Sequence, residues 1–246
     1  MQDSIDIYPD VPELVRAVAG QIVAAAAGAI AQHGRFSIGL CGSTTPRPLF
    51  ELLAGDEFAP QIAWGQVHVF FGDERSVPPD HADSNYRQAR VLLLDQVPIP
   101  PGQVHRMRGE AEPVEAAAEY EAVLRRYFGP DATLPRFDVL LQGMGPDGHT
   151  ASLFPHSAAL HEDQRWVVAH YVEKLDTWRI TLTPPAINAA AQVIFMVSGE
   201  AKAEMLDRVI SGPYQPDELP SQLIQPRDGV LRWMVDEAAA SRLRGD

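Results

Sequence analysis

The sequence predicts an α/β fold in three layers: a mainly parallel sheet with helices on both faces. Three observations carry this. Short, mostly apolar runs of strand length alternate with segments of helical periodicity along the whole chain. Mostly apolar strands suit a parallel sheet buried on both faces. And 246 residues with 46% hydrophobic content suffice to bury one sizeable core, so residues 1–246 read as a single domain.

Each element has its own warrant. From Pro12 to His33, Leu14, Val18, Ile22, Ala25, Ala29 and Ile30 recur at helical spacing, and Gly34 stands where a C-terminal cap belongs. Phe36 to Cys41 is a short strand. Thr45 then reads as an N-cap and Pro46 as the first residue of a helix through Leu53. Val67 to Phe71 is a strand, Ser84 caps a helix through Leu94, Val104 to Met107 reads as a short strand, and Glu112 to Phe128 is a helix. Further strands fit Phe137 to Leu141, Val167 to Tyr171, Ile180 to Thr183, Val193 to Val197 and Val230 to Val235, with helices starting at Pro185, Glu200 and Asp236. The proline-rich pieces VPIPPGQ and SGPYQPDELP read as surface connections, and no internal repeat is present.

Charge and composition exclude several classes. With 33 acidic against 20 basic side chains, the net charge of −13 argues against nucleic acid or an anionic membrane as partner. The first residues, MQDSIDIYPD, are acidic and lack an apolar core, and no uninterrupted apolar run reaches about 18 residues, so the expectation is a cytoplasmic chain. Cys41 is the one cysteine, which leaves no internal disulfide or zinc cluster. Only Lys174 and Lys202 are lysines, so an anionic ligand must rely on backbone N–H groups and a few arginines.

In parallel sheets ligands bind at the carboxyl ends of strands. The three loops expected there are GSTTPRP from Gly42, GDERSVPPDHADSN from Gly72, and QGMGPDGHT from Gln142. The first sets Gly42, Ser43, Thr44 and Thr45 before a helix N-terminus, where free N–H groups and hydroxyls favour an anion such as phosphate. The plainer reading, Thr45 as a helix cap, stands beside it. No Gly-Lys-Ser/Thr follows, so this is not a Walker loop. The third loop contains Gly143, Gly145 and Gly148 in a G-x-G-x-x-G spacing. Pro155 ends any helix there, which removes the long helix a dinucleotide needs.

His149 closes that loop. A lone histidine is commonly structural, but this one follows a glycine turn at the ligand edge, beside Asp147. There the N–H groups of Gly145 and Gly148 are expected to be free for a developing oxyanion. His33, His68, His81, His105, His156, His161 and His170 share no metal spacing and read as structural or solvated. Cys41, with no base beside it in sequence, reads as a small residue entering a turn.

Nearly the whole chain resembles one family. The segments LCGSTTPRPLFELLA, FFGDERSVPPDHADSNYRQAR, FDVLLQGMGPDGHTASLFP, KLDTWRITLTPPAIN, VIFMVSGEAKAEML and GVLRWMVDEAAA carry the likeness. It is similar to the 6-phosphogluconolactonase branch of the glucosamine-6-phosphate isomerase/6-phosphogluconolactonase family. The wider group includes the deaminases, ribose-5-phosphate isomerase and the CoA transferase-like folds with their Rossmann-like sheet. Thr150, Ala151, Ser152, Leu153, Phe154 and Pro155 favour the lactonase, since the deaminases usually continue with a Phe-Asn-Glu-Pro-like segment.

The resemblance implies hydrolysis of 6-phospho-D-glucono-1,5-lactone to 6-phospho-D-gluconate in the oxidative pentose phosphate pathway, with no metal or nucleotide cofactor. It implies His149 as general base, with Asp147 or Asp73 to orient the imidazole. Gly42, Ser43, Thr44 and Thr45, with Arg75, Lys174 and Arg179, would hold the phosphate and the sugar hydroxyls. The partner is then a small sugar-phosphate lactone, and the chain a monomer or weak homo-oligomer. Two alternatives are a sugar-phosphate isomerase or deaminase of the same fold, with Asp73 abstracting a carbon-bound proton, and a sugar-phosphate-binding regulator without turnover. The sequence departs from the family pattern at Ser43, where glycine is usual and a side chain narrows the backbone approach. It departs again at Leu175 and Asp176, where Lys174 would usually be followed by two prolines.

Overall fold

A computed structural model of the chain describes residues 4–243. In chain order the elements are β1 (Ser4–Tyr8), α1 (Val11–His33), β2 (Phe36–Leu40), α2 (Arg47–Ala54), β3 (Val67–Phe71), β4 (Asp73–Arg75), α3 (Asn85–Ala89), α4 (Pro113–Phe128) and β5 (Val139–Gly143). They continue with β6 (Val167–Val172), β7 (Thr177–Leu182), α5 (Pro184–Asn188), β8 (Gln192–Val197), α6 (Ala203–Ser211), β9 (Val230–Asp236) and α7 (Glu237–Ala240). Six strands form one sheet in the order β1-β9-β8-β5-β2-β3, with every pairing parallel.

Successive strand residues feed opposite faces. Phe70 and Leu140 enter one buried cluster with Tyr120, Trp166 and Phe195, whereas Phe71, Val139 and Leu141 enter the other with Leu14, Phe50 and Met196. The first helix, α1, is long and apolar enough to cross a membrane, with a mean hydropathy of 1.7 over its most apolar window. Here it instead lays Leu14, Val18, Ile22 and Ala26 on the sheet, and an Asp10 side-chain cap and Gly34 at φ 78 bound it.

A second, three-stranded antiparallel sheet, β4-β7-β6, was not foreseen in the sequence. Gly72 joins the two sheets: its N–H donates to Leu40 O and its carbonyl accepts from Leu182 N. Four further readings need correction. Thr45 caps nothing, because the cap position of α2 is Pro46, in helical conformation and with no side-chain bond. Val104 makes only a single bridge to Val69, so the strand expected from Val104 to Met107 does not form. The strand expected from Phe137 begins at Val139, and β7 starts at Thr177 rather than Ile180. Ser84 does cap α3, which then widens into a π-helical turn over Arg90–Leu94.

Chain order places the site. From β2 the chain moves outward to β3, whereas from β5 it moves the other way through β8 to β9. The crevice of a parallel sheet lies where this direction reverses, so it opens between the carboxyl ends of β2 and β5.

Candidate active site

The loops after β2 and β5 flank one cleft with two lobes. The first, roughly 270 Å³, is lined by Gly42 to Thr45, Gly145, His149 and Lys202; the second, roughly 240 Å³, by Asp147, Phe154, Lys174 and Arg179. Asp73, Arg75 and His149 line both, so the imidazole stands at the junction.

The glycine turn sets the histidine. Gly145 lies so close under the His149 ring that a Cβ at that position would collide with it and with Asp147. Gly148 adopts φ 78, the left-handed conformation that turns the chain back on itself. The turn consumes the donors that the sequence suggested were free. Gly145 N–H donates to His149 O at 2.8 Å, and Gly148 N–H donates to Gly145 O at 3.2 Å. Neither is available to an oxyanion, and Gly148 packs against Leu219 and Met205 away from the cleft.

Of the two candidate carboxylates, Asp147 touches the imidazole, with His149 Nδ1 at 2.5 Å from its Oδ1. Its second oxygen takes the ammonium of Lys174. Asp73, in contrast, is buried and committed elsewhere: Oδ1 accepts from Asn85 Nδ2 at 3.0 Å and Oδ2 from Ser152 Oγ at 2.7 Å. Phe154 stacks on the His149 ring, centroids 4.3 Å apart. Burial pushes the imidazole down to about 4 against the charge of Asp73, and Lys202, Arg179 and Arg75 add to the lowering. The ring is therefore neutral at pH 7, and with the proton on Nδ1 its Nε2 presents a lone pair that no described residue occupies.

Around this base the cleft is cationic. Arg75 and Arg179 are directly opposite in the β4–β7 ladder, and neither forms an ion pair among the described residues. Burial and the neighbouring Arg75 charge lower Arg179. The patch that the resemblance groups together is thus divided: Arg75 reaches both lobes, while Lys174 and Arg179 line only the second. In the first lobe the N–H groups of Ser43, Thr44 and Thr45 have no partner among the described residues. Gln88 Nε2 donates to Ser43 O, which pins the loop to α3. Ser43 takes φ 99, a conformation natural to the glycine usual there. Asp176 takes φ 50, which proline is unable to adopt, so this hairpin turns differently from a Lys-Pro-Pro one.

Lys202 is the residue that sequence reasoning passed over. Its Nζ donates to Met144 O at 2.9 Å and lines the first lobe, and burial lowers its affinity for the proton. The available signal was its place just after β8, at the same carboxyl edge as the other loops. Cys41 lies at the floor with its thiol pushed up to about 12, chiefly by burial and then by Asp73, which leaves it no thiolate with which to attack.

Comparison with known proteins assigns the chain to a family. The family model described as glucosamine-6-phosphate isomerases/6-phosphogluconolactonase matches residues 9–233. A 6-phosphogluconolactonase of Nostoc sp. is 41% identical over 245 residues, covering 99% of each chain. One of Rattus norvegicus is 41% identical over 244 residues, covering 97% of this chain and 93% of its own. The structure of 6-phosphogluconolactonase from Trypanosoma cruzi superposes with a TM-score of 0.86 at 29% identity, covering 99% of this chain and 98% of that one. The chain belongs to the glucosamine-6-phosphate isomerase/6-phosphogluconolactonase family.

Proposed function

We propose that this protein hydrolyses 6-phospho-D-glucono-1,5-lactone to 6-phospho-D-gluconate, as a cytoplasmic enzyme of the oxidative pentose phosphate pathway. The observation that carries the reading is the placement of His149: Nδ1 is held by Asp147 and the free Nε2 sits where two cationic lobes meet. Nε2 takes a proton from water as the oxygen attacks the lactone carbonyl carbon. The imidazolium then returns that proton to the ring oxygen as its bond to the carbonyl carbon breaks; the water's second proton stays on the new carboxyl group and passes to solvent at neutral pH, giving the gluconate and a free base. The charge that develops on the carbonyl oxygen falls to Arg75, which lines both lobes, in place of the glycine N–H groups. The phosphate and hydroxyls are held by the Ser43–Thr45 N–H groups with Lys202 and by the Arg75 and Arg179 guanidinium groups, whose planar forks suit a phosphate.

The rival reading, carbon-bound proton abstraction by Asp73, is disfavoured because Asn85 and Ser152 already occupy both of its oxygens. The test generates the lactone from glucose 6-phosphate with glucose-6-phosphate dehydrogenase and follows its disappearance. Unmutated protein is expected to accelerate the loss, and His149→Ala to forfeit on the order of 100-fold or more of that acceleration. Full activity in His149→Ala removes the base from the mechanism, and ammonia release from glucosamine 6-phosphate would replace the lactonase reading with the deaminase one.

A further inference from the structure

Lys174 resembles a substrate ligand in sequence, yet in the fold its ammonium already has a partner. Asp147 uses one oxygen on His149 Nδ1, at 2.5 Å, and the other on Lys174 Nζ. A carboxylate held at both oxygens is unable to rotate away from the ring it orients. Lys174 also sits over the Phe154 ring, 5.0 Å from its centroid, and that ring stacks on the imidazole at 4.3 Å. One cation therefore contacts both groups that fix the histidine. Arg75 and Arg179 differ, for they line the same lobe without a carboxylate partner among the described residues.

We propose that Lys174 is a positioning residue acting through Asp147, holding the carboxylate so that the His149 ring keeps its proton on Nδ1 and offers Nε2 to the cleft. The proposal rests on the reading of His149 as general base. Its structural origin is the helical turn Glu173–Leu175 between β6 and β7, so the antiparallel hairpin steadies a loop that belongs to the parallel sheet.

The test compares Lys174→Met, Lys174→Arg, Asp147→Asn and the Lys174→Met/Asp147→Asn double variant in lactone hydrolysis. The His149 tautomer is measured separately, by imidazole nitrogen NMR on the ligand-free protein. Lys174→Met is expected to lower kcat about tenfold with KM within about twofold, and to add nothing in the Asp147→Asn background. Lys174→Arg is expected to recover most of kcat, and the Nδ1–H fraction to fall in Lys174→Met. A tenfold rise in KM at preserved kcat, with the two single losses multiplying, would make Lys174 a substrate ligand and overturn the proposal. An unchanged tautomer overturns it too. Because the tautomer is read without turnover, a failure of the lactonase assay in unmutated protein sinks the function reading and leaves the tautomer to decide this one.

Discussion

At the scale of single residues, the chemistry rests on a histidine whose proton affinity is lowered by burial and by three neighbouring cations. The sign of the pH dependence follows. A base lowered to about 4 is neutral from pH 8 down to about 5, so kcat/KM should stay flat across that range and fall only as pH drops through about 4. An acid limb centred near 6.5, the ordinary histidine value, would contradict this. His149 was legible because a glycine turn at a strand end is a local pattern, whereas the choice of Asp147 over Asp73 as its partner needed the structure. The hydrogen bonds that consume the Gly145 and Gly148 N–H groups were not legible, since they follow from the path the turn takes. Lys202 was hidden for a different reason: it meets Met144 across 58 residues of chain, and only the β5–β8 pairing brings them together.

At the scale of elements, strands and helices with strong periodicity were read close to their true bounds, and the misses share a cause. The first strand, β1, inverts the usual alternation: Ile5 and Ile7 are exposed while Asp6 turns inward toward Arg232. The fourth, β4, is only Asp-Glu-Arg, so nothing apolar marks it. What holds it is Glu74. Its buried carboxylate accepts from Arg75 N and Asn85 N at one oxygen, and from Ser84 Oγ and Tyr86 N at the other. One side chain thereby fastens β4 to the start of α3 and fixes the backbone that carries Asp73 and Arg75 into the cleft. Glu74→Gln turns one acceptor into a donor facing other donors. A loss of about 1–3 kcal/mol is expected in urea denaturation, together with a raised KM. An unaltered midpoint would show that the staple is dispensable.

At the scale of the whole molecule, the cleft is assembled from two sheets. The parallel sheet supplies the histidine loop and the Ser43–Thr45 turn, and the antiparallel sheet supplies Arg75, Arg179 and Lys174. A net charge of −13 surrounds this cationic pocket, so the protein's surface repels a phosphate that its interior attracts. The overall α/β class was legible because alternation of strand and helix is repeated along the chain. The joining of two sheets at Gly72 was not, because only backbone bonds mark it.

Arg75 and Arg179 occupy paired positions in the β4–β7 ladder, and the charge of Arg75 lowers Arg179, so the two cations oppose each other. A bound anion offsets that repulsion, so the fold should melt higher with inorganic phosphate present, by a few degrees at tenfold saturation. Arg179→Met should be more heat-resistant alone and gain less from phosphate, since Arg75, Lys202 and the Ser43–Thr45 N–H groups remain. Such a variant would have exchanged part of its appetite for anions for a calmer resting state.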